Sequence, residues 1–170
     1  WHLLDESDLV IAQNGKRFDL RRINARFLYH RIQPPSSYRV LDTYEEAKRV
    51  FDLTFYKQEW MARYLGEPRK LPTDFKLWAD CDKGDVPALK KMRAYNEADV
   101  IGLEKIYKRL RPYIPNHPIL TAYSKVKDVC PRCFGAIERS GIYTANRNRY
   151  KEYRCKECKG IFHDTKPIKE

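Results

Sequence analysis

Asn14-Gly15-Lys16-Arg17-Phe18-Asp19 is the stretch that decides the fold. It follows a short apolar run, Leu9-Val10-Ile11-Ala12. It precedes a segment in which Leu20, Ile23, Phe27 and Leu28 recur at helical spacing. The stretch therefore reads as a strand-to-helix junction, with a buried strand over residues 9–13 and a helix over 18–30. Gly15 suits a tight turn. Asp19 falls at the helix N-terminus, where the backbone partial charge favours a carboxylate. A second stretch, Tyr95-Asn96-Glu97-Ala98-Asp99, lies within a helical pattern over residues 86–110 that is expected to break near Tyr95. Tyr95 and Asp99 are i and i+4, so they share one helix face. A strand-end Asp opposite a helical Tyr/Asp pair is an arrangement suited to holding a divalent ion beside a phosphate.

Asn-x-x-x-Phe-Asp followed by Tyr-x-x-x-Asp on a later helix resembles the second and third motifs of the DEDDy class of 3′→5′ exonucleases. The six-residue form of the earlier motif is most similar to the proofreading domains of family B DNA polymerases and to related stand-alone ribonuclease H-like exonucleases. The resemblance covers about residues 3–118 and implies an α/β fold of the ribonuclease H type. It also implies that Asp19 and Asp99 are ligands for catalytic Mg²⁺ or Mn²⁺, and that Tyr95 orients the attacking water. Asn14 and Phe18 would position the substrate strand. The family's first motif, Asp-x-Glu, is a departure: no such triplet occurs in the chain, and only 13 residues precede Asn14. The expectation is that this chain is the C-terminal part of a longer protein, or that a complementing chain supplies Asp-x-Glu. The exonuclease fold would then lack its first strands, and the chain alone would have little activity.

The strongest signal read from the residues themselves lies further on. Cys130-Pro131-Arg132-Cys133 and Cys155-Lys156-Glu157-Cys158 offer two thiolates each, which matches the tetrahedral preference of Zn²⁺. The inner cysteines are separated by 21 residues, room for a hairpin. Strands are expected at Ile142-Tyr143-Thr144 and over residues 150–154. Gly135 and Gly160 are expected to make the turns of two zinc knuckles. The whole resembles a small β zinc ribbon with a closed, structural Cys₄ site; His163 is a spare donor that the complete set does not need. The boundary is set at residue 120, giving an exonuclease domain over 1–120 and a ribbon over 121–170.

Charge supplies the expected partner. The formal net charge is +11, with 34% charged and 13% aromatic residues, which favours nucleic acid. Between Arg139 and Lys159 there are seven Lys or Arg against two acids, interleaved with Tyr143, Tyr150 and Tyr153. Arg147, Arg149, Tyr150 and Lys151 are the candidate strand-binding set, with cations for phosphates and a ring for bases. DNA is expected before RNA.

The rest of the chain is read as scaffold. Asp42 or Thr43 caps a helix, with Asp42 a spare ligand only as the second choice. Residues 57–65 form a helix whose apolar face is Trp60, Met61, Tyr64 and Leu65, with Trp60 read as core. Residues 68–74, with Arg69 and Lys70, form a basic loop. Cys81 is a small buried hydrophobe. No apolar run is long enough to span a membrane, and nothing resembles a signal peptide. Paired Cys-x-x-Cys motifs fit a reducing compartment, cytoplasmic or otherwise intracellular. The competing function is a non-catalytic module in which a degenerate nuclease domain and a zinc ribbon bind nucleic acid or recruit a partner.

Overall fold

The structure, a computed structural model, describes residues 1–67, 72–123 and 126–168. The chain is mixed α/β. In order it forms α1 (His2–Asp5), β1 (Leu9–Ala12), α2 (Asp19–Tyr29), β2 (Arg39–Asp42), α3 (Thr43–Val50), α4 (Gln58–Tyr64), α5 (Phe75–Asp82) and α6 (Val86–Leu110). Two 3₁₀ turns, Arg111–Tyr113 and Leu120–Tyr123, lead to β3 (Ile137–Ala145), β4 (Asn148–Cys155) and β5 (Ile161–His163). Strands β1 and β2 hydrogen-bond to each other, and β3-β4-β5 form a separate antiparallel sheet. The backbone separates into two compact units. One comprises Ile11–Pro34 and Asp42–Arg109; the other comprises Trp1–Val10, Pro35–Leu41 and Leu110–Glu170.

In the first unit the cap expected at Asp42 forms, and Asp74, read only as the end of a loop, makes a second. Asp42 caps α3 by accepting from the Tyr44 amide, and Asp74 caps α5 by accepting from the Leu77 amide. Buried apolar side chains come from α3 (Ala47), α4 (Met61, Ala62), α5 (Leu77) and α6 (Ala88, Ile106, Tyr107). Helix α6 runs for 25 residues through Tyr95 without the expected break. It carries no internal proline beyond its first turn, so nothing in its hydrogen-bond ladder forces one. Trp60 and Tyr64 do not follow the expected core face of α4. Met61 and Ala62 face inward, while Tyr64 is exposed and Trp60 is half-buried. Cys81 is also half-buried.

Strand β1 is half-buried along its length rather than buried. Its sheet has two strands among the described residues, too few to cover an apolar strand. Of the basic loop at 68–74, residues 68–71, including Arg69 and Lys70, lie outside the described residues.

The second unit is built around sulfur. Cys130, Cys155 and Cys158 are its buried cluster, with Cys133, Ile137 and Phe162 packed against them. Leu110 and Ile114 are also buried in this unit. Strands β3 and β4 pair from Ile137↔Cys155 to Ala145↔Asn148, with a bulge between Arg139 and Gly141. Both strands are longer than their sequence signals, because charged residues alternating with aromatics satisfy a two-faced exposed hairpin without a continuous apolar pattern.

Candidate active site and metal centre

The loop from Asn14 to Asp19 is built on a buried carboxylate. Asp42 is 1% exposed. Its Oδ1 accepts from the Asn14 amide at 2.7 Å and from the Tyr44 amide at 3.1 Å, and its Oδ2 accepts from the Lys16 amide at 3.2 Å. One side chain thus caps α3 and pins the loop ahead of α2. Next to it, Thr43 donates from its hydroxyl to the Ala12 carbonyl at 2.9 Å, and Gln13 donates from Nε2 to the Tyr56 carbonyl at 2.7 Å. The sequence pointed to Asp42 as a cap; its hold on a loop 26 and 28 residues away has no sequence signature.

The turn is made differently from the expectation. Asn14, at φ 58°, takes the left-handed conformation, and Gly15 does not. Asn tolerates this region better than other side chains do. Gly15 is needed for room, since a Cβ there would lie 2.5 Å from the Ala12 Cβ and 3.4 Å from Asp19 Oδ2. The missing side chain allows the Asp19 carboxylate to fold back over the turn. Asp19 is the first residue of α2 and is exposed. Phe18 is 52% exposed, with the Arg22 guanidinium 4.4 Å above its ring.

On α6, Tyr95 and Asp99 are both half-buried and one turn apart. The Asp99 oxygen Oδ1 is shielded from solvent. Gln58 of α4 donates from Nε2 to the Asp99 carbonyl at 2.7 Å, which fixes this turn of α6 against α4. Gly102, one turn on, leaves space for that amide, 3.5 Å from where a Cβ would stand. Among the described residues, Asp19 and Asp99 belong to no group of three or more His, Cys, Asp or Glu positioned to share a metal ion.

The cysteines do form such a group. Their four sulfurs lie within 4.8 Å of one another, with Cys130–Cys158 at 3.7 Å and Cys133–Cys155 at 3.5 Å. A tetrahedral site with metal–sulfur bonds of about 2.3 Å separates its sulfurs by about 3.8 Å, so these four can hold one metal ion. His163 is exposed and stacks on Tyr143, with centroids 4.2 Å apart and planes 7° from parallel, and is not part of the group.

The two knuckles repeat one backbone. Cys130 N donates to Gly135 O and Phe134 N to Cys130 O; Cys155 N donates to Gly160 O and Lys159 N to Cys155 O. Amides also point at sulfur, Arg132 N to Cys130 Sγ at 3.5 Å and Cys158 N to Cys155 Sγ at 3.4 Å. The expected role of the glycines is corrected here. The left-handed residues are Phe134 (φ 63°) and Lys159 (φ 61°). Gly135 and Gly160 instead permit close approach: a Cβ at Gly135 would meet the Glu157 Cγ at 2.5 Å, and one at Gly160 would meet an Arg132 nitrogen at 3.1 Å.

Burial pushes the Cys130 thiol up to about 12 and raises Cys158 as well. Burial acts on Cys155 in the same direction but is outweighed, chiefly by the amides of Cys158 and Glu157, and its pKa is about 7. Arg132, buried within the first knuckle, donates to the carbonyls of Arg111 (3.3 Å), Pro112 (3.0 Å) and Ile161 (3.4 Å). This brace joins the cysteine module to the turn that follows α6 and has no sequence signature.

The candidate strand-binding residues separate on the sheet. Tyr143 and Tyr150 are directly paired, on one face with His163, whereas Arg149 and Lys151 alternate with Tyr150 along β4 and take the other face. Arg147 lies in the two-residue hairpin turn beside Asn146, which is left-handed at φ 53°. Among the described residues no helix is long and apolar enough to cross a membrane.

Searches of curated proteins and of solved structures found no match. A family model described as RNase_H superfamily matches residues 1–111, most of the chain, and the chain belongs to that superfamily.

Proposed function

We propose that this chain carries the second and third motifs of a metal-dependent 3′→5′ exonuclease acting on DNA in preference to RNA. Residues 1–120 form the nuclease part, and residues 121–170 form a structural zinc ribbon. An RNase H-like domain suggests a nuclease-type function on nucleic acid, and this fold generally uses divalent metals. What carries the finer reading is the loop held by Asp42. It sets Asp19 at the exposed start of α2, in a chain whose α6 presents Tyr95 and Asp99 on one face.

Two bound divalent ions would supply an activated water and offset charge on the phosphate and the leaving oxygen. Asp99 and Asp19 are hard oxygen donors suited to Mg²⁺ or Mn²⁺. Tyr95 holds the attacking water by its hydroxyl. Asn14 and Phe18 align the strand end. Asp19 and Asp99 are too few for two ions, and an Asp-x-Glu pair would supply the remaining carboxylates. In the ribbon, Cys130, Cys133, Cys155 and Cys158 hold Zn²⁺, and Arg147, Arg149, Tyr150 and Lys151 contact the strand. Thiolate ligands call for a reducing compartment.

The test is Mn²⁺-dependent degradation of 5′-labelled single strands by a protein that includes an Asp-x-Glu segment, beside its Asp19→Ala and Asp99→Ala variants. The expected result is stepwise shortening from the 3′ end, reduced more than about 100-fold by either substitution. Salt-sensitive binding without degradation would instead make the chain a non-catalytic nucleic-acid module.

A further inference from the structure

Trp60 and Tyr64 lie one turn apart on α4 with their rings stacked, centroids 5.1 Å apart and planes 13° from parallel. Phe55, from the loop before the helix, meets Trp60 edge-on at 6.1 Å and 69°. These rings are not core. Phe55 is 55% and Tyr64 63% exposed, while Met61 and Ala62, on the inward side of the same helix, are 1% and 3% exposed. Beside the rings is a cleft of about 310 Å³ lined by Phe55, Lys57, Glu59, Trp60 and Arg63, near the lower limit for a small-ligand site. Phe55 and Tyr64, exposed beside the half-buried Trp60, forgo apolar burial unless something covers them.

The rim identifies the occupant. Lys57 and Arg63 are exposed cations in the lining of the same cleft. An apolar peptide or a lipid would call for an apolar rim. A splayed nucleobase calls for a ring to stack on and cations for the phosphates attached to it. Glu59, also in the lining, can accept from a base amine and repels phosphate, so it favours an inward base and an outward backbone.

We propose that the Phe55–Trp60–Tyr64 face of α4 is a stacking site for an unpaired base of single-stranded nucleic acid, with Lys57 and Arg63 meeting the adjoining phosphates. This rests on the nucleic-acid reading given above and adds a second binding surface, on the nuclease part of the chain.

The experiment measures binding of a short labelled oligothymidylate to the full chain by fluorescence anisotropy, with no added Mg²⁺ or Mn²⁺. A strand of the same length made of abasic sites is measured beside it. The Phe55→Ala/Tyr64→Ala double variant should raise Kd for the oligothymidylate about 5- to 150-fold per stacked base lost. It should leave Kd for the abasic strand unchanged. Lys57→Gln/Arg63→Gln should lower the slope of log K against log salt by about 0.7 per phosphate contact. Phe75→Ala, which removes an aromatic 86% exposed on α5, is the control and should change neither. Unaltered oligothymidylate affinity in the Phe55/Tyr64 variant, with binding by the wild type intact, overturns the stacking site and leaves the nuclease reading standing. No binding by the wild type overturns both.

Discussion

Two short loops in this protein present side chains at fixed geometry, and they are held by opposite means. The Asn14–Asp19 loop is organised by protein alone: one buried carboxylate, Asp42, takes three backbone amides, and a missing Cβ at Gly15 leaves room for Asp19. The cysteine knuckles reverse this. Their amides point at sulfur, and buried Cys130 and Cys158 resist ionisation until a cation arrives. On the function proposed above, a centre that exchanges substrate and metal gains from a loop whose shape precedes the metal. A structural site can leave its shape to the ion it never releases. The comparison predicts where metal removal is felt.

The largest effect should follow chelation or Cys155→Ser. Structural Zn²⁺ contributes about 10–16 kcal/mol of apparent binding free energy near neutral pH, and binding is coupled to folding. Amide exchange should lose protection across β3, β4 and β5 while the Asn14 and Lys16 amides stay protected. Retained protection in the strands would show a ribbon that holds itself. The loss should come sooner at lower pH. A metal must displace protons from Cys130 and Cys158, whose pKa values are raised, so acid favours release.

The opposite perturbation is Asp42→Ala. It removes a helix cap and leaves the Asn14 and Lys16 amides without their acceptor, at a combined cost of about 2–4 kcal/mol. Denaturant unfolding should show that loss, and exchange should quicken at Asn14 and Lys16 but not in β3–β5. Asp42→Asn keeps one acceptor oxygen and should cost less. Equal costs for the two would mean that the hydrogen bonds at Oδ1, which Asn can keep, contribute little.

The same contrast explains what could be read in advance. The cysteine site was legible because metal chemistry fixes residue type and spacing together: two Cys-x-x-Cys pairs specify thiolates, a turn and a tetrahedron. Helices α2, α3 and α6 were legible from periodicity and, for α3, from the cap at Asp42. Contacts between distant residues were not. The hold of Asp42 on Asn14, of Gln58 on the Asp99 carbonyl and of Arg132 on Arg111 and Pro112 depends on tertiary placement. None leaves a local pattern. The glycines misled for a related reason. Gly15, Gly135 and Gly160 sit beside the left-handed residues Asn14, Phe134 and Lys159, so what required glycine was a neighbouring side chain, invisible until the chain folds. The aromatic residues of α4 misled through type alone, since a Trp and a Tyr one turn apart read equally well as core or as platform.

The smallest effect lies at His117, in the segment between the turn after α6 and the first knuckle, and it is set by pH. His117 is 6% exposed and makes a 2.7 Å hydrogen bond from Nδ1 to the Pro118 carbonyl, which makes Nδ1 the protonated nitrogen of the neutral ring. Burial holds its pKa down to about 4; the Pro118 carbonyl opposes this, and the positive charges of Arg132 and Arg111 add to it. The folded state therefore binds fewer protons than the unfolded chain, whose His titrates near 6.5. The contribution is fully present above pH 6.5 and is lost as pH falls towards 4. Acid also strips metal from the thiolates, so wild-type acid sensitivity alone would not identify the cause. His117→Gln removes one source and leaves the other. Its Tm should fall below wild type at pH 7, and the gap should narrow as pH approaches 5. A gap that stays constant between those two pH values would assign the acid loss to the metal site and leave His117 as packing.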